Sequence, residues 1–454
     1  MSQSLSTARS TDLLEGPIFS CLAKLALPLM ATAFLGMAYS MTDMIWIGRL
    51  GKGPAAAVGT VGTLLWLSEG VLTLFRVGTQ ILTAEKIGAK AYDEVKEIVS
   101  AGIQLNIFSA LVVGTLFMVF REPMMSFFRL TPATHQHALE YFVIMLLGLP
   151  GSYAGRLLSA ISTAAGDSKM PFITNGLGLI LNIILDPIFI FVLGWEVKGA
   201  AIASILAEYF VLIILVWAVL KKPVFHGLPT FTRLYSEHYG RIFRLGVSPA
   251  LQSTFYCFFS IVLTRLASTF GESVISAQKI GANIESISWM TADGFALALT
   301  AFMAQNYGAK QIERSLQGYK VALRLVLIFG AVTTSLLYFF AEPIYHLFLP
   351  DPTALADGKS YLQVLALSQT FMSLEIIVTA AFNAFGKTFY PAAVVTLCAA
   401  SRIPIAFTLS KKIGSAGIWW ALTLSSIAMG LILVPSFAIF RRSILRREGL
   451  SYKK

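Results

Sequence analysis

Apolar residues run along this chain in long blocks separated by short polar segments, and twelve of these blocks reach about 20 residues or more. They span roughly 22–47, 54–84, 99–120, 137–159, 170–193, 199–220, 242–268, 273–304, 319–341, 360–384, 389–410 and 414–440. Each is long enough to cross a hydrocarbon core of about 30 Å as an α-helix. The second and eighth exceed that need, so they tilt, bend or project from the bilayer. The predicted fold class is all-α and integral to a membrane, with twelve transmembrane helices. One block breaks the apolar pattern: "LNIILDPIF", residues 181–189, carries Asn182 and Asp186 one helical turn apart.

Composition agrees with the pattern. Of 454 residues 56% are hydrophobic and 13% charged, and the mean hydropathy is +0.72, far above a soluble domain. The three cysteines, Cys21, Cys257 and Cys398, lie in or beside apolar blocks and fit neither a disulfide framework nor a metal site. The first 21 residues lack the charged, apolar and small-residue succession of a cleaved signal peptide, so they read as a retained cytoplasmic end.

The net charge of +11 sorts by side, which argues against nucleic acid as a partner. With twelve spans, the segments on the side of the termini include Lys86, Lys90, Arg156, Lys221, Lys222, Arg241, Arg314 and the tail "RRSILRREGLSYKK". Together they hold more than twice the nine basic residues of the opposite loops, among them Arg49, Arg121, Lys198 and Lys411. Basic residues are retained in the cytoplasm during insertion, so both termini are predicted cytoplasmic. The tail then lies against anionic lipid.

The chain repeats itself at an offset of 220. "FREPMMSFFRLTP" at 120–132 lies over "FAEPIYHLFLPDP" at 340–352, pairing Glu122 with Glu342 and Phe128 with Phe348. Gly51 pairs with Gly271, Tyr141 with Tyr361, and "GDSKMP" at 166–171 with "GKTFYP" at 386–391. Near the start the register slips by one, Pro28 facing Pro249. This predicts two six-helix bundles related by a pseudo-two-fold along the membrane normal. The expected division is a cytoplasmic N-terminus (1–21), an N-lobe (22–220), a cytoplasmic linker (221–241), a C-lobe (242–440) and a basic tail (441–454).

An ionised carboxylate at mid-bilayer costs about 2.5–3.5 kcal/mol on insertion scales, so each one in a span needs a reason. The candidates are Asp43, Glu69, Asp186, Glu208, Glu285, Asp293 and Glu375, with Arg76, Lys279 and Arg402 as intramembrane bases. Asn182 and Asp186, four apart, share a helix face, and Pro187 behind them loosens the backbone one turn back. By themselves these residues read equally as helix-to-helix glue or as a functional site.

With Pro28, Asp43, "EKIGAK", "GDSKMP", "LNIILDPIF", "KGAAIAS", "LGVSPALQ" and "AQNYGAK" in this order, the chain resembles the multidrug and toxic compound extrusion (MATE) transporters over residues 15–440, closest to the DinF-like bacterial type. The resemblance implies an N-lobe coupling cluster of Asp43, Asn182, Asp186 and Ser204, Ser204 standing where relatives often carry Thr, with Pro28 as a conformational hinge. Two carboxylates in a poorly solvated pocket cannot both ionise cheaply, which suits proton exchange, with Asp43 the exchanging group. Na⁺ at Asp43, Asn182 and Asp186 is the other coupling ion to weigh. In the C-lobe, the seventh span lacks the Glu of NorM-like relatives; Glu375 and Asp293 are the further coupling candidates. Glu69, Arg76, Lys279 and Glu285 read as structural pairs.

The implied function is secondary efflux of organic cations or amphipathic compounds by antiport with H⁺ or Na⁺, the lobes rocking to give alternating access. The implied protein has no cofactor and no catalytic residue, works in the plasma (inner) membrane among lipids, and is a monomer. The five histidines lie in loops or at helix ends and form no catalytic constellation, and no selectivity-filter loop marks a channel. The alternative is a lipid or lipid-linked oligosaccharide flippase of the same superfamily; twelve spans and three scattered intramembrane bases favour efflux. The orientation is checked by cysteine labelling: His226→Cys is expected to react from the cytoplasm, Glu196→Cys and Asp357→Cys from outside, and the reverse pattern would overturn the assignment.

Overall fold

The computed structural model describes residues 11–229, 232–346 and 352–448. The described residues form helices and turns, without strands. In the first half these are α1 (Ile18–Gly48), α2 (Lys52–Gly88), α3 (Tyr92–Val119), α4 (Arg121–Ser126), α5 (Pro132–Ala164), α6 (Lys169–Pro187) and α7 (Glu196–Leu220). In the second they are α8 (Ser236–Ala267), α9 (Glu272–Gly308), α10 (Ile312–Phe339), α11 (Ala341–His346), α12 (Pro352–Ala366), α13 (Gln369–Ala384), α14 (Phe389–Ile413) and α15 (Ala416–Arg447). Eleven segments are long and apolar enough to span a membrane singly, and α12 with α13 makes a twelfth, bent span.

The offset of 220 is written into the backbone. α2, α3 and the short α4 recur as α9, α10 and α11 with both ends displaced by 220 residues. So do the special conformations: Gly51 (φ 117°) and Gly271 (φ 112°) open the second helix of each half, and Lys90 (φ 58°) and Lys310 (φ 60°) follow its end. Glycine is required at the first pair because a side chain rarely tolerates that φ. Phe348, one member of the aligned set, lies outside the described residues, as do the last six residues of the tail.

The chain divides into two compact units. One comprises Met1–Leu14 and Leu27–Ala250, the other Glu15–Ala26 and Leu251–Lys454. In the first unit, Leu13 is buried and the Thr11 N–H donates to the Gly166 carbonyl (3.0 Å), so the stretch before α1 is packed. In the second, Arg314 donates to the carbonyls of Glu15 and Gly16 (both 2.9 Å), which ties the start of α1 there. The core of the first unit is built around Phe142, Tyr153, Leu72 and Val61. That of the second centres on Trp419, Tyr361, Tyr345 and Leu362. The first part of α8 packs on α2 backbone to backbone: a Cβ at Gly246 would fall on the Leu74 carbonyl, and one at Gly78 on that of Ile242.

Two expected spans differ in detail. The fifth does not run as plain α-helix: Pro187 has no N–H to give, and the chain continues as a π-helix, Ile188–Val192, with the Leu193 N–H on the Ile188 carbonyl (2.9 Å). The tenth, expected continuous over 360–384, is bent by 48° between α12 and α13. Side chains take carbonyls beside the bend: Thr423 bonds Val364 (2.9 Å), Ser368 bonds Leu365 (2.8 Å) and Thr334 bonds Ala366 (2.9 Å). Irregular backbone at membrane depth survives only when its polar groups are satisfied in this way.

The glycine contact gives a measurable consequence. Gly246→Ala is expected to destabilise the detergent-solubilised protein by about 1–3 kcal/mol through overpacking. Gly59→Ala, where a Cβ meets no atom within 4 Å, is expected to gain stability by up to about 1 kcal/mol from helix propensity. Thermal unfolding of the two variants checks the difference in sign.

Candidate functional site

α1, α6 and α7 of the first unit bring four of the sequence-predicted site residues together. Ser204 Oγ, on α7, donates to Asp43 Oδ2 on α1 (3.3 Å). Asn182 Nδ2 donates to Asp186 Oδ1 one turn on along α6 (3.2 Å). The two pairs meet, with the Asp43 carboxyl in side-chain hydrogen-bonding range of both Asp186 and Asn182. Asn182, Asp186 and Ser204 are buried.

Three oxygens in this cluster are left over: Asp43 Oδ1, Asn182 Oδ1 and Asp186 Oδ2 are buried without a hydrogen-bond partner. Among the described residues neither aspartate makes an ion pair with a basic side chain. A buried acceptor costs about 1–3 kcal/mol when unpaired, and three at one place suit a guest that donates a proton or carries positive charge. An all-oxygen donor set suits a hard cation such as Na⁺, and two adjacent carboxyls suit one shared proton.

Two tyrosines complete the surroundings. Tyr39, one turn before Asp43 on α1, donates its hydroxyl to the Ser204 carbonyl (3.4 Å), and buried Tyr141 of α5 lies within electrostatic range of both aspartates. Sequence reasoning missed both. The i, i+4 spacing of Tyr39 and Asp43 was a usable signal; Tyr141 had none beyond its pairing with Tyr361. Pro28 is not part of the cluster. It sits fifteen residues before Asp43, roughly 22 Å along α1. α1 runs through Pro28, whose carbonyl accepts from the Thr32 hydroxyl (2.8 Å), immediately after the chain passes from one unit to the other.

The second unit is arranged differently. Glu375 accepts from Thr379 on its own helix (3.4 Å) and lies in electrostatic range of Arg402 and Asp293. Arg402 is not in salt-bridge contact with it; the guanidinium donates to Ser425 (2.7 Å) and Ser426 (3.2 Å) and stands over the Tyr256 ring. Glu285, expected in a structural pair with a neighbour, accepts from Gln369 Nε2 (2.9 Å) and the Tyr361 hydroxyl (3.3 Å). Gln369 opens α13 at the bend, which places it there. At the offset of 220, Asn182 corresponds to Arg402 and Asp186 to Ala406, so the aspartate cluster has no counterpart in the second half.

The fold and the cluster define a multi-pass helical membrane transporter made of two six-helix units. The chain belongs to the MatE family, whose pattern matches residues 28–188 and 249–408. It is 26% identical over 437 residues, 94% of each chain, to the "Probable multidrug resistance protein NorM" of Thermotoga maritima. It is 24% identical over 433 residues to an FAD transporter of Shewanella oneidensis, covering 92% of this chain and 94% of the relative. Among solved structures, that of a MATE in the bent conformation superposes with a TM-score of 0.91 at 20% identity, over 97% of this chain and all of the other.

The Glu285 arrangement is testable apart from function. Gln369→Leu removes one of its two donors and is expected to destabilise the fold by about 1–3 kcal/mol. Adding Glu285→Gln to that variant is expected to restore much of the loss, read as thermal unfolding of the single and double variants.

Proposed function

We propose that the protein is a secondary antiporter that exports organic cations or amphipathic compounds in exchange for H⁺, with Na⁺ as the competing coupling ion, and that Asp43, Asn182, Asp186 and Ser204 hold the ion. The observation that carries this reading is the set of three unpartnered buried oxygens on two adjacent carboxylates and an amide. One proton on either aspartate turns an acceptor into a donor and joins Asp43 to Asp186; its loss leaves two like charges side by side, an unstable arrangement in a poorly solvated place. The protonation state is thereby linked to the packing of α1 against α6 and α7. Pro28, where α1 lacks one backbone hydrogen bond, is the position at which the helix bends in response.

One relative's name, multidrug resistance, supports the substrate class, while another is named for transport of FAD, an anionic dinucleotide. The flippase alternative draws no support from a specific contact. On this reading the protein acts as a monomer in the bacterial inner membrane, both termini cytoplasmic, with lipids as its surroundings and small molecules as its partners. Glu375 and Asp293 are secondary, because Glu375 accepts a bond from Thr379 on its own helix and feels the nearby Arg402.

Asp43→Asn and Asp186→Asn each keep shape while removing the titratable proton. Gradient-driven efflux of a cationic dye from vesicles is expected to be abolished in both, with thermal stability kept or raised, whereas Glu375→Gln is expected to weaken export only in part. Normal efflux in both Asn variants would sink the exchange site, and loss of transport in Glu375→Gln alone would move coupling to the second unit. Separately imposed proton and Na⁺ gradients decide the ion.

A further inference from the structure

A second charged group lies in the first unit and takes no part in the aspartate cluster. Arg156 lies inside α5, eight residues before Ala164, and its Nη1 is 2.7 Å from Glu69 Oε1. Glu69 sits near the middle of α2, and Glu208 is twelve residues from either end of α7. Glu208 lies beside the Ser152 hydroxyl and in electrostatic range of Arg156 and Glu69, yet makes no ion pair among the described residues. α5 is slim where it passes: a Cβ at Gly148 would stand 3.4 Å from Glu208 Oε2.

The exposures make this more than a structural pair. The Arg156 side chain is 54% exposed and that of Glu69 33%. A guanidinium open to lipid at this depth is costly, which favours an open side turned to water. Glu69 occupies one edge of the guanidinium, leaving most donors of the planar fork, the geometry that grips carboxylate or phosphate, turned to that open side. A purely cationic guest would meet Arg156 and leave those donors uncapped. A purely anionic one would meet two carboxylates. A molecule carrying both signs finds a partner for each.

We propose that Glu69, Arg156 and Glu208 form a binding site for the head group of a zwitterionic amphiphile, the guanidinium taking its anionic group and Glu208 its ammonium. The proposal rests on the reading that the chain handles amphipathic small molecules, but not on the coupling ion. It accounts for a base held among acids where an ordinary cation site would have none. Trp66, one turn before Glu69 on α2 and exposed, suits the body of such a molecule.

Rhodamine B and its ethyl ester share one cationic ring system and differ in a carboxylate against an ester. Their binding to the full-length protein in detergent, with no gradient, is read by fluorescence polarisation. Glu69→Gln with Arg156→Gln removes the ion pair without stranding a charge; it is expected to weaken rhodamine B by about tenfold and the ester by less than about twofold. Arg156→Lys, which keeps the charge and loses the fork, is expected to fall between. Glu208→Gln is expected to weaken both dyes. Equal effects of the double variant on the two dyes would overturn this site and leave the efflux reading intact; a wild-type protein that binds neither dye would count against both.

Discussion

A polar atom within a hydrocarbon layer has no water to turn to, and the breaks in the fifth and tenth spans answer that constraint. Where the regular pattern fails, a substitute is on hand. The chain takes a π turn after Pro187, and at the α12–α13 bend three hydroxyls occupy the carbonyls of Val364, Leu365 and Ala366. The bend in turn delivers Gln369 to Glu285. Backbone repair and side-chain placement are one arrangement there.

Buried and half-buried carboxylates meet the same constraint in three ways. Glu69 has a guanidinium, Glu285 has two neutral donors, and Asp43 and Asp186 each accept from one neutral donor with one oxygen of each left over. Glu285 is complete as it stands, while the Glu69–Arg156 pair is partly open. The third keeps buried acceptors that no protein group satisfies, and the proposed exchange site rests on them.

The repeat shows how far a shared scaffold leaves chemistry free. Helices α2 to α4 and α9 to α11 keep their lengths and their positive-φ junctions across 220 residues. The polar residues do not follow: Arg402 stands where the first half has Asn182, Ala406 where it has Asp186, and the carboxylates of the second unit come from α9 and α13 instead. Duplication preserved what sets helix length and turn geometry, and the interior of each unit diverged.

Apolar block length, spaced glycines and prolines, and the 220-residue offset are local properties of the chain, so the sequence by itself determined the helical membrane class, the repeat and the Asn182–Asp186 face of α6. The resemblance carried by its motifs added Asp43 and Ser204. Tertiary structure alone decided the rest, because it depends on which helix faces which. It brought Tyr39 to the backbone of Ser204, joined Arg156 to Glu69, and gave Glu285 to Gln369. It also bent the tenth span, whose sequence reads as continuous because the hydroxyls that satisfy its freed carbonyls include Thr334 and Thr423 from other helices.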